Sequence, residues 1–76
     1  MSELPVLSGK TIIRVLEKLG FRTIRTKGSH WILEHNDGRK TVVPAHRNRD
    51  IARPFLAKIL RLAEIDHSTF IDAWKG

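Results

Sequence analysis

Ile12, Val15, Leu16 and Leu19 recur at i, i+3, i+4 and i+7, the spacing that lines one face of a helix. Lys10, Arg14, Glu17 and Lys18 fall on its other sides. Ser8 is a good N-cap, and Leu7 with Ile12 can close a hydrophobic staple across it. Thr11 stands where a capping box would carry Glu or Gln. Gly20 ends the helix, because glycine accepts the left-handed conformation just past a C-terminus. Residues 1–7 read as an arm.

Beyond Gly20 the pattern changes. Phe21 leads into an extended run, Arg22 to Thr26, whose β-branched Thr23, Ile24 and Thr26 favour a strand. Lys27-Gly28 is a turn, and a second strand follows from about Ser29 to His35. Asn36-Asp37-Gly38 is a strong hairpin signal, since such a turn needs residues that tolerate positive φ. Arg39 to Val43 makes a third strand, and Pro44, which has no N–H, ends regular pairing. Trp31, Ile32 and Leu33 put apolar groups on both faces, so the pattern leaves the buried face open. Ala45 to Asp50 is a polar, basic loop. A helix over roughly Arg53 to Ala63 buries Leu56, Ile59, Leu60 and Ala63, with Phe55 and Leu62 widening the stripe, and Pro54 sits comfortably in its first turn. Asp66 reads as another N-cap, with Ile65 and Phe70 as its staple, and a last short helix carries Phe70, Ile71 and Trp74. The order is helix, three strands, helix, short helix. It predicts an α+β fold in which helices back one face of a three-stranded antiparallel meander.

Composition narrows the function classes. A chain of 76 residues predicts a single domain, 1–76, which buries only about 60% of its unfolded surface. Its 41% apolar content supports a globular fold rather than disorder. Without cysteine there is neither a disulfide framework nor a zinc-thiolate site. No apolar run approaches the roughly 18 residues of a membrane span, and the N-terminus lacks the basic start and apolar centre of a signal peptide. The expectation is a cytoplasmic protein with no membrane association.

The net charge is +6, and it is concentrated. Between Arg22 and Arg53 stand eight cations, Arg22, Arg25, Lys27, Arg39, Lys40, Arg47, Arg49 and Arg53, against three anions. The flanks are nearly balanced. A basic middle of this kind points to a phosphate-facing surface; the alternative is ordinary solubilising charge.

The candidate chemistry lies in Arg25-Thr26-Lys27-Gly28-Ser29-His30-Trp31. Of the four histidines, His30 and His35 are five apart on one strand and point to opposite faces. No helical His pair or comparable ligand pattern exists, so neither a metal nor another cofactor is expected. Gly28-Ser29-His30 lacks the glycines of a serine elbow, and adjacent Ser29 and His30 diverge. Metal-free RNA cleavage fits better. RNA carries its own nucleophile, the 2′-OH, and an imidazole can take or give a proton at neutral pH. Arg25 and Lys27 are placed to stabilise charge building on a phosphate, and Gly28 lets the phosphate approach the backbone. His46 is either a second proton-transfer group or a plain surface residue. Ser29 is either a local turn hydroxyl or a supporting group, and Trp31 either stacks on a base or belongs to the core. Arg39 and Arg47 complete the candidate RNA-binding set.

Gly20-Phe21, Arg25, Lys27-Gly28-Ser29-His30 and Val43-Pro44-x-His46 together resemble the HicA family of toxins from type II toxin–antitoxin systems, over roughly Ser8 to Ile65. The resemblance implies a fold like the double-stranded-RNA-binding domain. It also implies an mRNA interferase, an endoribonuclease that cleaves messenger RNA and stops translation. On that resemblance the catalytic histidine is His30, the family's glycine and serine fall on Gly28 and Ser29, and the partner is a HicB-type antitoxin covering the active surface. The start of the main C-terminal helix departs from the family pattern: Arg53-Pro54 stand where glycine and a small hydroxyl residue are common. Asp66 to Gly76 is longer than in the shortest members. Two other readings remain open, a non-catalytic RNA-binding module and a DNA-binding adaptor. Against the latter, the helix from Arg53 has only Arg53, Lys58 and Arg61 as cations.

Overall fold

In the computed structural model, which describes residues 4–46 and 49–76, helix α1 spans Gly9–Lys18. Its N-cap is Ser8, whose Oγ accepts from the Thr11 N–H at 3.3 Å and lies 3.0 Å from Thr11 Oγ1. The serine half of a capping box is thus present, and the Thr11 hydroxyl meets the Ser8 hydroxyl. The helix buries Ile12, Ile13, Val15 and Leu16, and Leu19 packs at the margin. Gly20 follows at φ +96°, a backbone conformation that suits glycine.

Three antiparallel strands come next, β2 (Phe21–Lys27), β3 (His30–His35) and β4 (Lys40–Pro44), in the order β2-β3-β4. Helix α2 (Arg53–Ala63) packs on this sheet and buries Leu56, Ile59, Leu60 and Ala63. The buried Thr41 Oγ1 donates to the Ile59 carbonyl at 2.8 Å, so the polar group within the core is satisfied and ties β4 to α2. Helix α3 (His67–Lys75) lies against α1 and inserts Phe70, fully buried, into the same core. The whole is α+β, compatible with the helix–sheet–helix plan of the double-stranded-RNA-binding domain, with the short C-terminal helix added.

Register settles which face is buried. Leu33 pairs with Thr23 and Thr41, and Trp31 with Thr26 and Val43. Leu33, Thr41 and Val43 are buried, so this set faces the helices, and Trp31 packs partly against the core. The alternate set faces outward: Arg22 with Glu34 and Lys40, Arg25 with Ile32 and Val42, Lys27 with His30 and Pro44.

Several boundaries and roles differ from expectation. The arm is held down: Leu4 is buried, the Arg53 Nε donates to its carbonyl at 2.6 Å, and a short strand β1 (Leu7–Ser8) pairs with β5 (Asp50–Ile51). Two-residue strands carry no periodic signal, which is why the segment reads as loop. Pro44 ends β4 as expected, one residue beyond Val43. It is the last residue of β4 opposite His30, and the Ala45 N–H continues the ladder to the Ser29 carbonyl at 2.8 Å. Phe55 and Leu62, 46% and 51% exposed, lie outside the buried stripe of α2 rather than widening it. Asp66 occupies the N-cap position of α3, but its side chain makes no capping bond.

Candidate functional site

The turn between β2 and β3 contains just Gly28 and Ser29, since Lys27 and His30 are paired. Gly28 has φ +60° while Ser29 is not among the positive-φ residues. This is the type II′ pattern, which needs glycine first and whose twist matches the strands it joins. The turn brings Lys27 and His30 side by side on the outer sheet face. Both are exposed.

Arg25 shares that face for a reason absent from simple alternation. Thr23 pairs with Leu33 but Arg25 pairs with Ile32, so Ile24 is an extra residue, a β-bulge. Thr23 points inward, and strict period two would turn Arg25 and Lys27 inward as well. The bulge reverses the phase. It aims Arg25 and Lys27 outward on the same side as His30.

The second histidine arrives from the other direction. With β4 ending at Pro44 opposite His30, the chain continues through Ala45 to His46, beside the turn. Ser29 Oγ lies 2.9 Å from His46 Nδ1, a hydrogen bond whose donor depends on the imidazole tautomer. It holds the ring at Nδ1 and leaves Nε2 on the far side. His46 follows two residues after Pro44, which pairs with His30, and its ring meets Ser29, the residue just before His30. Two exposed imidazoles and two cations thus gather at one end of the sheet. Sequence reasoning named Ser29 and His46 separately and missed that they bond. The signal was present, because a hairpin at Asn36-Asp37-Gly38 that pairs Leu33 with Thr41 must also bring Ser29 opposite Ala45.

The remaining candidates fall elsewhere. Arg39 lies at the opposite end of the sheet, and its guanidinium is engaged. Nε donates to Asp37 Oδ2 at 2.8 Å, Nη1 donates to the Ala63 carbonyl at 3.1 Å, and the group stands over the Phe21 ring at 5.3 Å. The Arg39 N–H bond to the Asp37 carboxylate, joined by the guanidinium, holds the Asp37 pKa below its ordinary value despite some desolvation. Trp31 packs on the inner face, away from His30. Arg47 lies outside the described residues. Among the described residues no cluster of three or more His, Cys, Asp or Glu could hold a metal ion, and no helix is long and apolar enough to cross a membrane.

No curated protein matches the chain. A family model, that of the HicA toxin of bacterial toxin–antitoxin systems, matches residues 9–65, which run from the first residue of α1 past the end of α2. That span holds the β2–β3 turn, the bulge and both histidines, and the chain therefore belongs to the HicA toxin family.

Proposed function

We propose that residues 1–76 form a single-domain endoribonuclease that cleaves messenger RNA without a metal and so inhibits translation, acting in the cytoplasm as the toxin of its pair. The observation that carries this reading is the outward-facing group of Arg25, Lys27 and His30, with His46 tethered beside it through Ser29.

RNA brings the nucleophile. The 2′-oxygen attacks the adjacent phosphorus, a 2′-O–P bond forms and the P–O5′ bond breaks. One proton leaves the 2′-hydroxyl and one reaches the departing 5′-oxygen. His30 performs one of these transfers as general acid or base. Lys27 and Arg25 neutralise the phosphate in flight, and Gly28, with no side chain, lets it lie close to the turn. His46, held at Nδ1 by Ser29, is suited to support the second transfer through Nε2. Arg39 is left out of this surface because its donors serve the fold. A HicB-type antitoxin would silence the toxin by covering the same face, where Ile32 and Val42 lie among the charges.

The test is cleavage of a long messenger RNA in EDTA by the wild-type protein and His30→Ala, both confirmed folded by circular dichroism. Cutting by wild type alone, leaving 2′,3′-cyclic phosphate ends, is expected. Cutting by both would remove His30 from the mechanism. RNA bound but left whole by both would instead establish a non-catalytic RNA-binding module.

A further inference from the structure

Beside His46 a recess of about 200 Å³ opens between the end of β4 and the start of α2. Pro44, Ile51, Ala52 and Phe55 form its apolar walls, and His46, Arg49 and Asp50 its polar ones. We propose that this recess is a nucleobase subsite, in which Phe55 stacks on a base flanking the scissile phosphate and so sets where the RNA is cut. The proposal rests on the reading of the neighbouring surface as an RNA site and adds the recognition element that surface lacks: Arg25, Lys27 and His30 address phosphate, which is the same in every nucleotide.

Four features favour a base as the occupant. The recess shares His46 with the candidate site, so a chain whose phosphate lies at His30 has its next base within reach. Phe55 is 46% exposed at the first turn of α2, while the helix buries its other face. Exposed aromatic rings are the usual platform for unpaired bases. The volume falls below that of pockets for drug-sized ligands, suited to one planar ring rather than a peptide segment. Finally, Arg49 can donate and Asp50 can accept at a base edge, the two functions that distinguish bases.

The walls are also held in place before anything binds. Pro44 is locked in φ and paired with His30. Ile51 pairs with Leu7, His46 is tied to Ser29, and the Phe55 N–H donates to the Ala52 carbonyl at 3.0 Å. A preformed site loses little freedom on binding.

The experiment is an abasic scan with short 2′-fluoro RNA, which cannot be cut, so binding is read independently of catalysis. Fluorescence anisotropy would be measured for the wild-type protein, Phe55→Ala and Phe55→Trp, each checked for folding by circular dichroism. One abasic position should weaken wild-type binding roughly 5- to 150-fold, the loss of a single base–aromatic stack. Phe55→Ala should bind intact RNA equally weakly and be indifferent to that position, and Phe55→Trp should restore the sensitivity. With cleavable RNA, Phe55→Ala should flatten the cleavage-site preference and leave the pH profile unchanged. Equal wild-type affinity for every abasic RNA would overturn the subsite. So would a Phe55→Ala protein that keeps its base preference, or one whose only defect is lost binding to the antitoxin. A positive scan with no cleavage would keep the subsite and sink the nuclease reading instead.

Discussion

His30 and Arg39 stand at opposite ends of the sheet, and their replacements should separate cleanly. His30 is exposed and has no packing role, so His30→Ala should change stability by no more than about 0.5 kcal/mol, as exposed substitutions do. Arg39 donates to the last carbonyls of α2 and covers Phe21. Arg39→Ala should cost roughly 1.5–3 kcal/mol, the range for hydrogen bonds to a charged group, read from urea unfolding, with RNA affinity unchanged. Both stand in one charged stretch that the sequence reads as a phosphate-facing surface, and nothing local in it shows that Arg39 serves the fold instead. What divides them is the approach of a helix end from 24 residues further along the chain. Asp37, beside Arg39, gives a pH test. Its folded pKa is lowered, so its contribution is fully present above the ordinary carboxylate value and is lost as pH falls through the lowered one. Asp37→Asn should therefore lower the unfolding midpoint at neutral pH, and the gap to wild type should close as the pH falls through the lowered native value and the native carboxylate is protonated too.

At the level of elements, helix periodicity and turn chemistry were legible while phase was not. The apolar stripe of α1, the glycine after it and the Asn36-Asp37-Gly38 hairpin all follow from local rules that the structure obeys. The bulge at Ile24 does not. It depends on how β2 is matched to β3, and no local pattern in Arg22-Thr23-Ile24-Arg25 announces an unpaired residue. The same holds for the docking of α1 on the end of β4. Gly9 opens that helix, where alanine would ordinarily gain up to about 1 kcal/mol of helix propensity. Here an added Cβ would overlap the Pro44 carbonyl and lie 2.7 Å from Ala45 Cα. Backbone cannot step aside as a flexible side chain can, so Gly9→Ala should destabilise rather than stabilise. Because Pro44 and Ala45 lead directly to His46, it should also lower activity more than the stability loss explains. Thermal melts and cleavage rates on the same preparation would check both.

On the scale of the whole molecule, one core runs through all three helices. Phe70 of α3 is fully buried although it lies beyond the residues that the family model matches. Lys18 of α1 donates to the Ala73 carbonyl at 3.2 Å and the Gly76 carbonyl at 3.0 Å, tying the last turn back to the first helix. Phe70→Ala should cost about 3–5 kcal/mol, enough to approach unfolding in so small a domain, and calorimetry would show it. The sequence indicated a final helix and its apolar residues, but not that this segment completes the core, because which stripe meets which is decided only by the packed arrangement. The bulge has one more consequence. Strand β2 is an outer strand of its sheet, the kind of edge along which chains of a crowded protein add to one another and aggregate. An unpaired residue in its middle bends that edge, and Arg22, Arg25 and Lys27 charge it. The feature that turns Arg25 and Lys27 to the outer face therefore also keeps neighbouring copies from zipping onto the sheet.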